Sequence, residues 1–520
     1  MNNLILGLYA VSFAAAFVVL SIYHMHMFQL NSYKPGPHVH WLKEHLGSMT
    51  GRVLALLVSM VLLLIPHPVC QVLAIVCNLL TLAGNRPKKA KKPLVYTKRV
   101  IRMFVTEGIL FLVLSAGGIL LCRFLHPAFL LSLPVIGILV PFLILLANFI
   151  NRPVEKSVNR HFIREAEDIL KDMPNLTIVG VTGSYGKTSV KFYLGKLLSA
   201  KYNVLVTPGN FNTTLGVVKT VREHLNATHE VFVCEMGAKT VGEIKEICDL
   251  VHPDYGVITS IGPQHLESFL SIDNVIKTKF ELADAVPPAG KVFLNYDNEY
   301  IRQKQLDKTV VTYGAGNPDC DFHPYDITVS RKGSSFKLDT PDGQTYEFST
   351  KLIGIHNVVN IAGAIAVAWE LGVPMRDIVT QVRKLEGVPH RLQLIPGPTR
   401  LIIDDAYNSN PSGAKAALDT LDQFEGLKIL VTPGMVELGD QQYQCNKTFG
   451  LQAAAVCDYV VLVGPKQTKP IQDGLAEADY PSGQLFVVND LQEGLQKVDG
   501  INAHGAMKVV LLENDLPDNY

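Results

Sequence analysis

Residues 180–189 read "GVTGSYGKTS", and Gly183, Ser184, Tyr185, Gly186, Lys187, Thr188 and Ser189 stand in an order that can cradle a phosphate chain. Glycines at 183 and 186 let successive backbone N–H groups converge on phosphate oxygens, and a helix starting at Lys187 adds the positive end of its dipole. Lys187 can then reach the terminal phosphates and the Thr188 hydroxyl can ligate Mg²⁺. The spacing departs from the usual phosphate loop, because five residues rather than four separate Gly180 from Gly186. An ordinary glycine-rich turn is the alternative. It ranks lower because the Gly-Lys-Thr triplet falls at a helix start.

The flanking sequence supplies the elements that must hold such a loop. "NLTIVGV" (Asn175 to Val181) is a short β-branched run, and "KTSVKFYLGKLLSA" places Val190, Tyr193, Leu194, Leu197 and Leu198 at helical spacing. Strand, tight turn and helix in this order predict an α/β domain with a parallel sheet. Further on, "KILVTPG", "YVVLVG", "QLFVVN" and "MKVVLLEN" read as parallel strands of a second, doubly wound α/β domain, and residues 307–352 alternate like a small antiparallel insert. A chain of 520 residues is too long for one core. The expected division is a helical membrane domain over 1–150, a central ATP-binding domain over 151–388 and a carboxy-terminal domain over 389–520.

Lys and Arg, 47 in all, balance 47 Asp and Glu, but the zero net charge hides a segregation of apolar residues into the first part of the chain. "LILGLYAVSFAAAFVVLSIY" (Leu4 to Tyr23) is long enough to cross a bilayer and lacks a basic start and a cleavage site, so it predicts an anchor that stays. Runs from about Leu46 to Ile65 and Val69 to Ala83 are split by "PHP", and runs from about Phe104 to Phe124 and Phe129 to Ile150 by "LHP". The loop "NRPKKAKKPLVYTKRVIR" (Asn85 to Arg102) has no acid and belongs on the cytoplasmic side, where it could also meet anionic headgroups. About five spans result, with the amino terminus outside and the rest of the chain in the cytoplasm; the run from Val69 is short for a span. His24, His26, His38 and His40 could ligate a metal, but interfacial histidines fit better, since no acid joins them before Glu44. Eight scattered cysteines without a CxxC pair indicate reduced thiols rather than zinc or disulfides.

Segments downstream of the loop follow in a telling order: "TPGNFNTTLG", "CEMGAKTVGEI", "ITSIGPQHLESF", "IKTKFELA", "LNYDN", "GIHNVVNIAGAIAVA" and "IIDDAYNSNPSG". Over roughly residues 155–465 the chain closely resembles the Mur ligase family, and within it the branch that adds D-alanyl-D-alanine to a UDP-muramoyl tripeptide. The resemblance implies an ATP-dependent acid–amino-acid ligase of peptidoglycan or cell-envelope synthesis, using Mg²⁺ and an acyl phosphate. It implies that Lys187 and Arg391 compensate the γ-phosphate and that Thr188, Glu235 and His265 are metal ligands. Lys279 matches the family lysine that is carbamylated, which would join the metal set as an anion able to approach Mg²⁺; it is preferred to Lys277 because it directly precedes "FELA". Asn295 and Asn357, the latter accompanied by His356, would lie near adenine and Asp405 on the ribose. Thr207, Asn210, Asn212 and Thr213 would face substrate in the central domain, and Tyr407, Asn408 and Asn410 on the third, although "DDAYNSNPSG" also suits a plain capped turn.

The chain departs from the family pattern in four places. Apolar spans precede the ATP loop where a UDP-sugar domain is expected, "VVLLENDLPDNY" stands at the end where a basic stretch is usual, "VTPGMVELGD" differs from its counterpart, and Ser260 replaces an Asn. The architecture suits an envelope precursor that is itself lipid-linked, with an amino acid or dipeptide as the amine, membrane lipids as neighbours and no nucleic acid. The alternatives are ligation of the soluble UDP-linked tripeptide, a P-loop transporter, and a non-catalytic nucleotide-sensing scaffold. No second nucleotide signature supports transport, and a scaffold has no need of Lys187, Glu235, His265, Lys279 and Arg391 together.

Overall fold

The computed structural model describes residues 3–65, 67–86, 90, 92–330, 332–407 and 409–516. Contacts divide the chain into a unit that runs to Arg160 and a unit spanning His161–Asp515.

The first unit is helical: α1 (Asn3–Leu30), α2 (Pro35–Glu44), α3 (Leu46–Leu63), α4 (Pro68–Gly84), α5 (Lys98–Phe124), α6 (Ser132–Ile138) and α7 (Val140–Lys171), the last continuing past the division. Three of these, over Leu4–Leu30, Leu46–Leu63 and Lys98–Phe124, are long and apolar enough to cross a bilayer, and the pair Ala128–Ile138 and Val140–Lys171, bent by 72°, makes a fourth if it is one broken span. The run from Val69 forms α4, shorter than these, as its length led one to expect. Apolar side chains of this unit, Val58, Val61, Val72, Leu112, Val113 and Phe142 among them, face outward while polar groups pair inside: Ser21 Oγ donates to Glu107 at 2.8 Å, Asn78 Nδ2 to Ser12 Oγ at 3.0 Å and Asn151 Nδ2 to Thr106 Oγ1 at 2.7 Å. Of the basic loop, Pro87, Lys88, Lys89 and Lys91 lie outside the described residues. The histidines are dispersed among different partners: His26 bonds the Lys92 carbonyl, His38 stacks on Trp41 and His40 pairs with Glu44. No group of three or more His, Cys, Asp or Glu is placed to hold a metal ion among the described residues.

The second unit holds two α/β sheets and a small antiparallel one. β1 (Thr177–Thr182), β2 (Val204–Val206), β3 (Val231–Glu235), β4 (Tyr255–Ile258), β5 (Lys291–Asn295) and β6 (Val310–Tyr313) form a parallel sheet in the order β2-β3-β1-β4-β5-β6. The phosphate loop leaves the carboxyl end of β1, and the register Val181↔Glu235 sets the acid at the end of β3 beside it. α8 (Lys187–Leu198) buries Val190, Tyr193, Leu194, Leu197 and Leu198, the stripe read from its spacing. It packs with the helix Ile355–Glu370, which is buried from Asn357 through Ala368 and is therefore apolar nearly all round. β7 (His323–Ser330), β8 (Gly333–Asp339) and β9 (Thr345–Thr350) form the antiparallel insert expected within 307–352.

β10 (Gln393–Pro396), β11 (Arg400–Asp405), β12 (Leu427–Thr432), β13 (Tyr459–Val463), β14 (Leu485–Val488) and β15 (Lys508–Glu513) make the second large sheet, in the order β10-β11-β15-β12-β13-β14. The four apolar runs read as parallel strands are β12 to β15, and all their pairings are parallel. The antiparallel hairpin β10–β11 was not among them; its signal is the turn "GPT" between two short apolar runs. Pairing of β11 with β15 aligns Asp405 with Glu513.

One buried bond ties α8 to the helix behind it: the Tyr193 hydroxyl donates to Asn357 Oδ1 at 2.8 Å. Tyr193→Phe strands that buried oxygen and should cost about 1–3 kcal/mol, seen as a lower melting temperature of the full chain in detergent. An unchanged melting temperature would show that the bond contributes nothing to the fold.

Candidate active site

The loop after β1 is built on two close approaches. A Cβ at Gly183 would stand 2.1 Å from Thr259 Oγ1, and one at Gly186 (φ +81°) would stand 2.9 Å from Asn360 Oδ1, so neither position admits a side chain without rearrangement. The segment after β4 clamps the loop: Ser184 N donates to the Ser260 carbonyl at 2.8 Å and Tyr185 N to Ser260 Oγ at 2.9 Å. Ser260, standing where an Asn was expected, serves both sides of the turn, since its hydroxyl also donates to the Tyr185 carbonyl. The Lys187 ammonium donates to the Ser184 carbonyl at 3.1 Å, folded over its own loop.

Glu235, 1 % exposed, is the centre of the next layer. One carboxylate oxygen accepts from Thr188 Oγ1 at 3.1 Å and Asn212 Nδ2 at 3.0 Å, and the other faces Lys191 Nζ at 2.9 Å. Lys191, fully buried, also donates to the Gly209 carbonyl at 2.6 Å, and the Glu235 backbone N–H donates to Thr207 Oγ1 at 3.1 Å. Burial by itself would raise the Glu235 carboxyl; Lys191, Lys187 and Asn212 outweigh it and hold the group below its ordinary value. Lys191 had no role in the sequence reading. Its signal was a cation within the apolar run of α8, four residues after Lys187 and so on the same face.

The remaining charged groups surround this pair. Lys187 is brought down to about 8 by burial and by Arg391, against the pull of Glu235. Lys279, on the helix Ile272–Ala285, is 2 % exposed and has no hydrogen-bond or ion-pair partner among the described residues. Burial and then Lys187 press its ammonium well below the usual value. His265 (φ +52°) pairs through Nδ1 with Glu437 (φ +61°), and Lys239 Nζ reaches the same carboxylate at 3.0 Å. Burial lowers His265 despite Glu437, whereas Glu437, which burial would raise, is carried down to about 2 by His265 and Lys239. Two non-glycine residues in left-handed backbone that meet across domains fit a site where the fold holds strain in place. Neither Glu437 nor Lys239 was singled out from sequence.

Arg391 lies over the Tyr407 ring, 4.3 Å from its centre, and acts electrostatically on Lys187, Asp405 and Glu513. Asp405 accepts from Leu392 N at 3.2 Å; burial raises it to about 6 against Arg391. Glu513, bonded by Ser409 Oγ at 2.6 Å, is driven far above the usual carboxylate value by burial and by Asp405. The acidic end of the chain thus places a second carboxyl beside the one expected at the ribose.

Other expected residues are committed to the fold. Asn357 spends its amide on the Ile353 carbonyl at 2.8 Å and its oxygen on Tyr193, and Asn295 bonds the Thr259 carbonyl and Asp297 N. Asn360, three residues after Asn357, is the side chain set against Gly186. Thr213 and Asn410 cap helices through Gly216 N and Gly413 N, Asn210 is exposed, and Asn408 lies outside the described residues.

A phosphate-type loop at the end of a central parallel strand, a buried acid on the neighbouring strand and an arginine from a second α/β domain define a nucleotide-dependent P-loop enzyme. Residues 181–368 match the Mur ligase middle domain and residues 390–512 the Mur ligase glutamate ligase domain. The UDP-N-acetylmuramoyl-tripeptide–D-alanyl-D-alanine ligase of Escherichia coli is 33 % identical over 320 residues, 61 % of this chain and 70 % of that protein. Its counterpart in Bacillus subtilis is 34 % identical over 52 % of this chain and 59 % of its own length, less than two thirds. Among solved structures, MurF from Acinetobacter baumannii superposes with a TM-score of 0.63 at 28 % identity, covering 68 % of this chain and 77 % of its own. MurF from Thermotoga maritima, solved with ADP, shares the fold, with a TM-score of 0.61 at 24 % identity and coverage of 69 % and 80 %. The chain belongs to the Mur ligase family, whose members are ATP-dependent ligases. Both domain matches begin after residue 180, so the helical unit has no counterpart in either.

The low value of Lys187 has a signed consequence. Its charge is present below about pH 8 in the free protein and is lost as pH rises through that value. Affinity for an ATP analogue should therefore fall on the alkaline side of about pH 8, measured by titration calorimetry, and Lys187→Arg should flatten that decline. A wild-type affinity that stays level across the same range would remove Lys187 from phosphate recognition.

Proposed function

We propose that this chain is a membrane-embedded, ATP-dependent ligase of cell-envelope synthesis that joins an amino acid or dipeptide to the carboxylate of a lipid-linked precursor through an acyl phosphate. The observation that carries the reading is the convergence of Lys187, Thr188, Glu235, His265, Lys279 and Arg391 around one phosphate-type loop. ATP supplies the phosphoryl group that turns the carboxylate oxygen into a leaving group. The chain contributes positioning and charge: Lys187 and Arg391 offset the anionic phosphates, and Asn360 lines the loop where a nucleotide would lie. Thr188, Glu235 and His265 would hold Mg²⁺, a hard cation suited to hydroxyl and carboxylate oxygens. Lys191 shares the Glu235 carboxylate, so a cation there must compete with an internal ammonium.

Lys279 supports a carbamate. A buried amine without a partner and held neutral can attack CO₂, forming an N–C bond and releasing one proton, and the resulting anion would offset Mg²⁺ where an ammonium would repel it.

The precursor is the open half of the reading. The helices of the first unit, apolar on their outer faces, stand where a soluble nucleotide-sugar domain was expected, and the acid-free loop from Asn85 favours a multi-pass arrangement with the ligase unit in the bacterial cytoplasm. This supports a precursor held at the bilayer. The names of the curated relatives favour a second reading, ligation of D-alanyl-D-alanine to the soluble UDP-linked tripeptide. ADP release by the full chain in nanodiscs separates them. It should be faster with a lipid-linked muramoyl tripeptide than with the UDP-linked one, D-alanyl-D-alanine being the amine in both. Faster release with the UDP-linked substrate would refute the lipid-linked part, and no ADP release with either, although Mg·ATP binds, would refute the ligase reading.

A further inference from the structure

Between α3 and α4 lies a cavity of about 310 Å³ whose lining includes Ser48, Gly51, Arg52, Thr81, Gly84 and Asn85. Arg52 is the only charged residue in the lining, and no carboxylate faces it there among the described residues. Its guanidinium is held in place rather than free to swing. Nη1 donates to Asn85 Oδ1 at 3.2 Å, and Cζ lies over the Tyr23 ring, 3.5 Å from its centre. Asn85 is fixed in turn, donating to the Arg52 carbonyl at 3.0 Å and the Thr81 carbonyl at 2.9 Å.

A donor is left over in this arrangement. Arg52 Nε is buried with no partner among the described residues. A buried N–H without an acceptor is costly, and more so on a charged group. Space is left over as well: a Cβ at Gly51 or Gly84 would meet nothing within 4 Å, so the fold itself does not require glycine at either place.

We propose that this cavity binds a phosphate or diphosphate ester, with the Arg52 fork as its principal anchor. The planar, permanently charged guanidinium matches phosphate oxygens with paired N–H groups. The surroundings point to a headgroup carried on a long apolar chain as the source. From the polar lining, outward-facing Leu54 and Val58 on α3 and Val76 and Leu80 on α4 continue as an apolar surface along which a tail can run. The cavity lies where α4 meets the basic loop, the end that charge bias assigns to the cytoplasm. This inference rests on the membrane reading of the first unit and not on turnover by the ligase unit.

The test uses the full chain in phosphatidylcholine nanodiscs without ATP or amine. Radiolabelled geranylgeranyl diphosphate and inorganic pyrophosphate are titrated separately, and ADP formation is assayed in parallel so that a failed ligase and a failed lipid site are told apart. Saturable binding of the isoprenoid diphosphate should weaken about tenfold or more in Arg52→Gln, the loss of one charge-assisted contact. It should weaken likewise in Gly84→Leu, which fills the cavity and leaves Arg52 in place. Arg86→Gln, outside the lining, should change binding less than about twofold. Pyrophosphate binding with the same dependence on Arg52 would support the site and make free phosphate its source; binding of the isoprenoid compound alone would support the lipid. Absence of saturable binding by either, or binding indifferent to Gly84→Leu, overturns the proposal even where Arg52→Gln fails to fold.

Discussion

The ligase unit depends on one buried acid. Glu235 ends a fully buried strand, and at 1 % exposure its charge persists only because Lys191, Thr188 and Asn212 answer it from two directions. Leaving a buried charge without its partner costs about 3–5 kcal/mol. That cost fixes geometry. α8 must start where Thr188 and Lys191 both reach the carboxylate, the loop before it must turn through Gly183 and Gly186, and the segment carrying Asn212 must fold back over the end of β3. The start of α8 beneath the phosphate loop is therefore fixed by an ion pair.

A second layer joins the two α/β domains to that centre. His265 reaches from the first sheet to Glu437 after β12, and Arg391 from the second domain lies within electrostatic reach of Lys187. Two cations, Lys187 and Arg391, share the site beside the Lys279 amine, and burial with the repulsion of Arg391 lowers Lys187. Such a concentration of positive charge is unfavourable alone and favourable around a triphosphate, which is how a site can be stable enough to fold and still prefer its ligand. The carboxyls of Asp405 and Glu513 behave in the opposite sense: burial and proximity favour a shared proton, leaving a hydrogen-bonding pair rather than two repelling anions.

Sequence revealed features whose cause is local. Apolar runs between helical stretches gave the strands β12 to β15, the glycines gave the loop, and the stripe from Val190 to Leu198 gave the buried face of α8. The hairpin β10–β11 escaped because β10 has only four residues, is exposed toward its end and carries a proline. Lys191 escaped because a lysine in a helix is ordinarily a solvent-facing residue, and only the fold shows it at zero exposure. Glu437 escaped because its partner is 172 residues away, a contact that no spacing encodes. Asn357 and Asn360 lie on one helix, and which of them faces the loop depends on the rotation of that helix against α8. The helical unit was legible as apolar spans but not as a container: the cavity at Arg52 is made by two glycines and an asparagine whose meaning appears only when α3 and α4 are side by side.

The most direct measurement is the affinity of a non-hydrolysable ATP analogue with and without Mg²⁺, compared between the wild-type chain and Glu235→Gln. If this carboxylate gives up part of its bond to Lys191 to take the cation, Mg²⁺ should tighten binding to the wild type and do so far less in the variant, whose metal-free affinity also falls because the buried Lys191 loses its partner. Equal tightening by Mg²⁺ in both proteins would contradict the account.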